Sequence, residues 1–233
     1  MKILYEDKYL LVCEKPVGVE SQLSSVGKPD MITLLSEYRK EKGEDTYVGL
    51  VHRLDTATGG AMIYSKQESI TGKISGILNS PEYEKEYLAV VHGVPDNKEG
   101  EFCDLLYHDK LKNKSFVVKK ERNDVKKAIA EYKVVDTLEH NGENISLVKV
   151  RLITGRTHQI RVQFASRGMA LLGDGKYGSR DNKASLALWS YRLAFTHPVT
   201  KRRIEAISEP PNDYPWELFD LCACAEAFEK LHN

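Results

Sequence analysis

Cysteine is scarce in this 233-residue, 26.4-kDa chain: Cys13, Cys103, Cys222 and Cys224 are the only four. Their spacing gives neither a disulfide framework nor the paired C-x-x-C rhythm of a zinc site, so they read as reduced thiols. No apolar run approaches the roughly 18 residues that a membrane-crossing helix needs. The start, Met1-Lys2-Ile3-Leu4-Tyr5-Glu6-Asp7, turns acidic before a secretory apolar core can form, so a cytoplasmic setting with no membrane partner is expected. Cofactor fingerprints are missing too. Gly173-Asp174-Gly175-Lys176-Tyr177-Gly178 lacks the dinucleotide spacing and reads as a turn, and there is no phosphate-binding G-x-x-x-x-G-K-[ST]. Neither a cofactor nor a metal is called for.

Net charge is also absent, since 34 basic residues balance 34 acidic ones. Taken alone, that total argues against a polyanionic partner. The distribution argues the other way. Lys110 to Lys127 carries eight basic residues against Glu121 and Asp124, and Arg151 to Arg167 carries four arginines and no acid. Glu205 to Glu229 carries seven acids and no Lys or Arg. A neutral chain with such stretches can still follow a phosphate backbone. Solvated faces explain the first stretch equally well, but not the second, whose arginines alternate with apolar residues.

Hydrophobic residues make up 41% of the chain, ordinary for a globular protein. Short apolar or alternating runs predict strands at Tyr9 to Val12, Ala61 to Tyr64, Tyr87 to Val91, Phe116 to Val118, Ala128 to Val135, Ile145 to Leu152, Leu186 to Phe195 and Ile204 to Ile207. Asp30 is placed to cap a helix over Met31 to Lys42, stopped by Gly43. A second helix is expected from Gln67 to Asn79 despite Gly72 and Gly76, and a short third one after Thr157 buries Ile160 and Phe164. Pro215 is suited to begin a C-terminal helix over about 215–231. Strands outnumber helices, so the class is α+β around a mixed, mostly antiparallel sheet flanked by helices. No linker or repeat divides the chain, and residues 1–233 are expected to form a single catalytic domain.

Two segments stand apart. His52-Arg53-Leu54-Asp55-Thr56-Ala57-Thr58-Gly59-Gly60 places an acid at a strand–loop junction, and Gly155-Arg156-Thr157-His158-Gln159-Ile160-Arg161 follows a strand end. With both in this order, the sequence resembles the RluA-type RNA pseudouridine synthases, which carry an HRLD motif and a later G-R-[ST]-H-Q-[IL]-R motif. Lys85-Glu86-Tyr87-Leu88-Ala89-Val90-Val91-His92-Gly93 is similar to that family's K-x-Y-x-A-x-V-x-G strand. Lys15-Pro16-Val17-Gly18 looks like its K-P-x-G turn, and Gly173 to Gly178 like its G-D-x-x-Y-G turn. The resemblance covers about residues 3–207. It implies the pseudouridine synthase fold with an RNA-binding cleft, without the small N-terminal RNA-binding domain of many relatives. Thr58 stands where relatives usually have Ser, and the residues after Arg161 also depart from the pattern.

The implied activity is isomerisation of a uridine in structured RNA, tRNA or rRNA, to pseudouridine. This breaks a carbon–nitrogen bond and makes a carbon–carbon bond with no redox change. Asp55 is the expected nucleophile, able to add to the sugar or ring or to remove a ribose proton. A carboxylate in a water-poor cleft needs a cation to stay ionised, and Arg161 is the expected partner. By resemblance, Tyr87 stacks on the uracil. The base has to be everted from the RNA, with Arg53 and His52 near the vacated position and Lys85, Arg156 and His158 on the backbone. Taken singly, His52, Arg53 and His158 read equally as packing residues. A monomer is expected. A non-catalytic RNA-binding protein of the same fold is the competing reading, and a glycosidase is a more distant one, because Asp55 lacks the second carboxylate that glycosidic chemistry uses.

Overall fold

Short apolar runs and alternating stretches set the strands of this chain, and a computed structural model describes residues 2–23 and 27–221. Contacts divide it into two compact units. The first is formed by the chain up to Lys85 with Trp189–Pro210, and the second by Glu86–Leu188 with the chain from Pro211 onward.

In the first unit the strands β1 (Ile3–Glu6), β2 (Leu10–Lys15), β3 (Gly49–Leu50), β4 (Gly59–Ser65), β10 (Leu188–Thr196) and β11 (Arg203–Ile207) pair in the order β1-β2-β4-β10-β11, with β3 also on β4. All of these pairs are antiparallel except β4 with β10, so the sheet is mixed. The seven residues of β4 are all buried, consistent with its uninterrupted small and apolar sequence. Helix α1 (Met31–Glu41) starts where expected: the Asp30 carboxylate accepts from the Thr33 N–H at 3.0 Å. Its buried stripe is Met31, Leu35 and Arg39. The buried Arg39 guanidinium is satisfied by the carbonyls of Tyr47 and Lys66. Helix α2 (Glu68–Ile77) lays Ile70, Ile74 and Ile77 against Leu10, Val12, Ala61, Ile63, Leu193 and Phe195.

The second unit orders its strands β5-β9-β8-β6-β7, all antiparallel: β5 (Glu84–His92), β6 (Glu99–Asp109), β7 (Lys114–Val118), β8 (Val125–His140) and β9 (Glu143–Leu152). Helix α3 (Gln159–Ala165) follows β9 and buries Ile160 and Phe164, as its spacing predicted. Phe164 meets Phe102 and Tyr132 edge-on, with ring centroids 5.0 and 6.0 Å away.

Two expectations need correction. Strand β6 was not foreseen, because Glu99-Gly100-Glu101-Phe102-Cys103-Asp104-Leu105-Leu106-Tyr107-His108-Asp109 breaks the period-two pattern; pairing with β7 and β8 makes it a strand. Pro215 opens only a single 3-10 turn, Trp216–Leu218, and Phe219 is extended at φ −117°, ψ 145°. The remainder of the predicted C-terminal helix, with Cys222 and Cys224, lies outside the described residues. No helix among the described residues is long and apolar enough to cross a membrane.

Candidate active site

The Asp55 loop, between β3 and β4, is pinned on both sides of the acid. The Ser21 hydroxyl donates to the Leu54 carbonyl at 2.8 Å, and the Leu54 N–H donates back to that hydroxyl at 3.1 Å. On the other side, the Thr56 carbonyl accepts from the Gly18 N–H at 2.8 Å and from the Lys15 ammonium at 3.2 Å. The Asp55 carbonyl accepts from the Thr58 N–H at 3.0 Å, closing the turn. Asp55 itself is half-buried between these anchors.

Lys15 was legible only as part of a turn motif. Its side chain is fully buried and donates to the carbonyls of Pro16, Val19 and Thr56. Burial pushes its ammonium down to about 8, and the Asp55 charge opposes that shift. The Asp55 loop is thus stapled to the end of β2 by a buried cation.

His52 is tied to the sheet: its Nε2 accepts from the Ile63 N–H at 3.0 Å. Burial, followed by the charge of Lys85, holds the imidazole down to about 4, so the ring is neutral with its proton on Nδ1. This bond serves packing, as one of its two readings anticipated. Arg53 is exposed, and Lys85 is half-buried at the start of β5. After the motif, Gly59 and Gly60 meet β10 too closely for a side chain. A Cβ on Gly59 would lie 2.2 Å from the Trp189 ring. One on Gly60, whose φ is +111°, would lie 2.3 Å from the Ser190 carbonyl.

In the second unit, Tyr87 stands on β5 opposite Val150 and is 8% exposed. Arg161, on α3, is buried and grips Asp174 in bidentate fashion, Nε to Oδ2 at 2.7 Å and Nη2 to Oδ1 at 2.8 Å. Asp174 is the positioning residue that sequence reasoning missed, having been read as part of a turn. The turn is real: Gly173 and Gly178 have φ of 72° and 103° around the 3-10 segment Gly175–Tyr177. Tyr177 completes the support. Its ring lies 5.1 Å from the Arg161 Cζ, and its hydroxyl accepts from the Ser115 N–H at 2.8 Å and pairs with His158 Nδ1 at 2.9 Å. His158 caps α3 in the left-handed conformation, φ 55°, and is buried. It therefore serves the start of this helix. Arg156 is exposed and donates from Nε to the Lys127 carbonyl at 3.0 Å.

Each unit thus holds part of the predicted set. His52, Arg53 and Asp55 share one loop in the first unit, and Lys85 acts on His52 there. In the second, His158 and Arg161 converge on Tyr177, Tyr87 stands on β5, and Arg156 reaches β8. No cluster of three His, Cys, Asp or Glu residues that could hold a metal occurs among the described residues. A carboxylate on a loop pinned in this way can support nucleophilic or proton-transfer chemistry.

Residues 9–166 match the family described as RNA pseudouridylate synthase. The chain belongs to that family, and the resemblance to its RluA-type members is borne out by relatives. It is 32% identical over 225 residues to ribosomal large subunit pseudouridine synthase C of Buchnera aphidicola subsp. Baizongia pistaciae, covering 91% of this chain and 67% of that one. It is 30% identical over 230 residues to ribosomal large subunit pseudouridine synthase D of Zymomonas mobilis, with coverages of 91% and 70%. Among solved structures, human RNA Pseudouridylate Synthase Domain Containing 4 superposes with a TM-score of 0.74 at 22% identity, over 93% of this chain and 91% of that chain. Human RNA Pseudouridylate Synthase Domain Containing 1 reaches 0.77 at 19%, over 98% and 94%. These two likenesses establish the fold.

Proposed function

We propose that this protein isomerises a particular uridine of tRNA or rRNA to pseudouridine, with Asp55 as the reacting group. The observation that carries the assignment is the pinning of the Asp55 loop on both flanks, by Ser21 and by Lys15 with Gly18. Such a loop holds one carboxylate in one place beside a buried cation, which a passive RNA-binding surface has no use for.

In this reading the two units act as one catalytic domain, and strand β5, which runs from one into the other, supports it. The uridine is everted, and Arg53 fills the stack it leaves. Tyr87 packs on the uracil face. The Asp55 carboxylate adds to the sugar or ring, or takes a ribose proton, and the glycosidic C–N bond breaks. The detached uracil turns and its carbon 5 bonds to the ribose as Asp55 is released, by breaking its adduct bond or returning its proton; the carbon-5 proton passes to solvent and N1 takes one up, so the net change is an isomerisation. Arg161, an arginine that stays charged, is the cation that keeps Asp55 ionised in this reading. Lys85 and Arg156 flank the RNA. The enzyme works as a cytoplasmic monomer without metal or cofactor.

The test uses tRNA and rRNA transcripts, carbodiimide labelling and primer extension. Asp55→Asn abolishes the new pseudouridine while RNA affinity stays near wild type. Product formed by that variant would end the assignment.

A further inference from the structure

The β6–β7 hairpin carries a feature that the chemistry above leaves unused. Register pairs Leu106 with Val117, and this face packs on Val162 of α3 and on Tyr177. The alternate pairs, Leu105 with Val118 and Tyr107 with Phe116, therefore point to the other face. There Leu105, Tyr107, Phe116 and Val118 are all only half-buried. A cation lies by each ring: the Arg122 Cζ is 5.2 Å from the Tyr107 centroid, and the Lys114 Nζ, which also donates to the Lys176 carbonyl and lies 5.0 Å from the Tyr177 ring, is 5.8 Å from that of Phe116. Exposed Lys127, opposite Leu105, joins the same face, and exposed Lys119 and Lys120 follow β7.

The nearby acids are partly occupied. The Asp109 carboxylate accepts from the Leu111 and Lys112 N–H groups, Asp124 lies 3.6 Å from Arg122, and Glu131 is held by Arg151. Paired aromatics on an open sheet face, flanked by Lys and Arg, match the chemistry of an unpaired RNA strand, whose bases stack and whose phosphates need cations.

We infer that Tyr107 and Phe116 form a stacking platform for unpaired nucleotides of the substrate RNA, with Arg122, Lys114 and Lys127 on its phosphates. This rests on the reading that the substrate is RNA, and it adds a contact outside the reacting site. Charge decides the occupant: a protein partner would leave this dense run of lysines to be neutralised, whereas a phosphate backbone supplies the counter-charge.

The experiment titrates the full chain into a fluorescein-labelled unstructured RNA, with a perfect duplex as control, across a salt series. Tyr107→Leu with Phe116→Leu weakens single-strand binding about tenfold or more and leaves duplex binding nearly unchanged. Arg122→Ala with Lys127→Ala, at exposed positions that do not disturb the core, lowers the slope of log affinity against log salt by about 1.4. Unchanged affinity and slope in both variants overturn the platform. So does a dimer that the Leu pair dissociates while RNA binding stays intact, which would make the face a contact between copies. Pseudouridine formation by the wild type is followed in parallel. Product with unaltered binding in the variants rejects the platform alone, and platform binding without product rejects the proposed activity alone.

Discussion

Removing Asp174 tests whether Arg161 is held for chemistry or merely for stability. Arg161 is 7% exposed and Asp174 2%, and both carboxylate oxygens are bonded, at 2.7 and 2.8 Å. Asp174→Ala leaves a buried guanidinium without this two-bond partner, and arginine cannot shed its charge to compensate. Breaking a buried pair typically costs 3–5 kcal/mol. The lower end, about 3 kcal/mol, is expected here because the Tyr177 ring remains 5.1 Å from the Arg161 Cζ. Urea denaturation should show a lower midpoint at unchanged slope, and pseudouridine formation should fall sharply even below the unfolding range. The decisive companion is Arg161→Leu with Asp174→Leu. Replacing both charges by apolar groups restores most of the stability, but activity stays lost if the guanidinium serves the reaction. A stable and active double variant would refute the role given to Arg161, and a loss under about 1 kcal/mol in Asp174→Ala would refute the energetic reasoning.

Gly60→Ala should cost about 3 kcal/mol or more in denaturant midpoint, since its Cβ would meet the Ser190 carbonyl at 2.3 Å at φ +111°. Gly72→Ala, on α2 with nothing within 4 Å, should instead stabilise by about 0.5–1 kcal/mol; equal effects at the two positions would contradict the packing argument. Burial, followed by Lys85, depresses the folded His52 to about 4, below its unfolded value near 6.5. Neutral His52 therefore contributes stability that is whole above pH about 6.5 and is lost as pH falls toward 4. Melting temperature should drop across that window in the wild type and less in His52→Asn, and parallel profiles would show that His52 does not carry the acid limb.

Much of the frame could be read from the chain. Asp30 before Met31-Ile32-Thr33 and Gly43 after Lys42 mark α1 because capping and the left-handed stop are local events. The Ile145–Leu152 strand follows from alternation, and the Tyr87 strand from a short uninterrupted apolar run. Strand β6 escaped because its burial is irregular on both faces, so its sequence lacks the period that marks a half-buried strand. The start of the predicted C-terminal helix misled for the opposite reason: Pro215 is a helix-start residue, yet the chain makes one 3-10 turn and extends at Phe219. Among the site residues, the HRLD acid and the α3 arginine were visible as motifs, whereas the anchoring roles of Lys15, Asp174 and Tyr177 were not.

Sequence alone settled the family, the strand-rich class and which acid to suspect, since motif order, periodicity and capping depend on residues a few positions apart. Tertiary structure decided which charges are matched and which loop is rigid. The Lys15 ammonium reaches the Thr56 carbonyl across 41 residues of chain, and the Ser21 hydroxyl reaches Leu54 across 33. Even Asp174, 13 residues beyond Arg161, becomes its partner only when the turn at Gly173 folds back on α3. Hydrogen bonds and Coulomb attraction act over a few ångströms of space, so the identity of those partners comes into being only once the chain has closed.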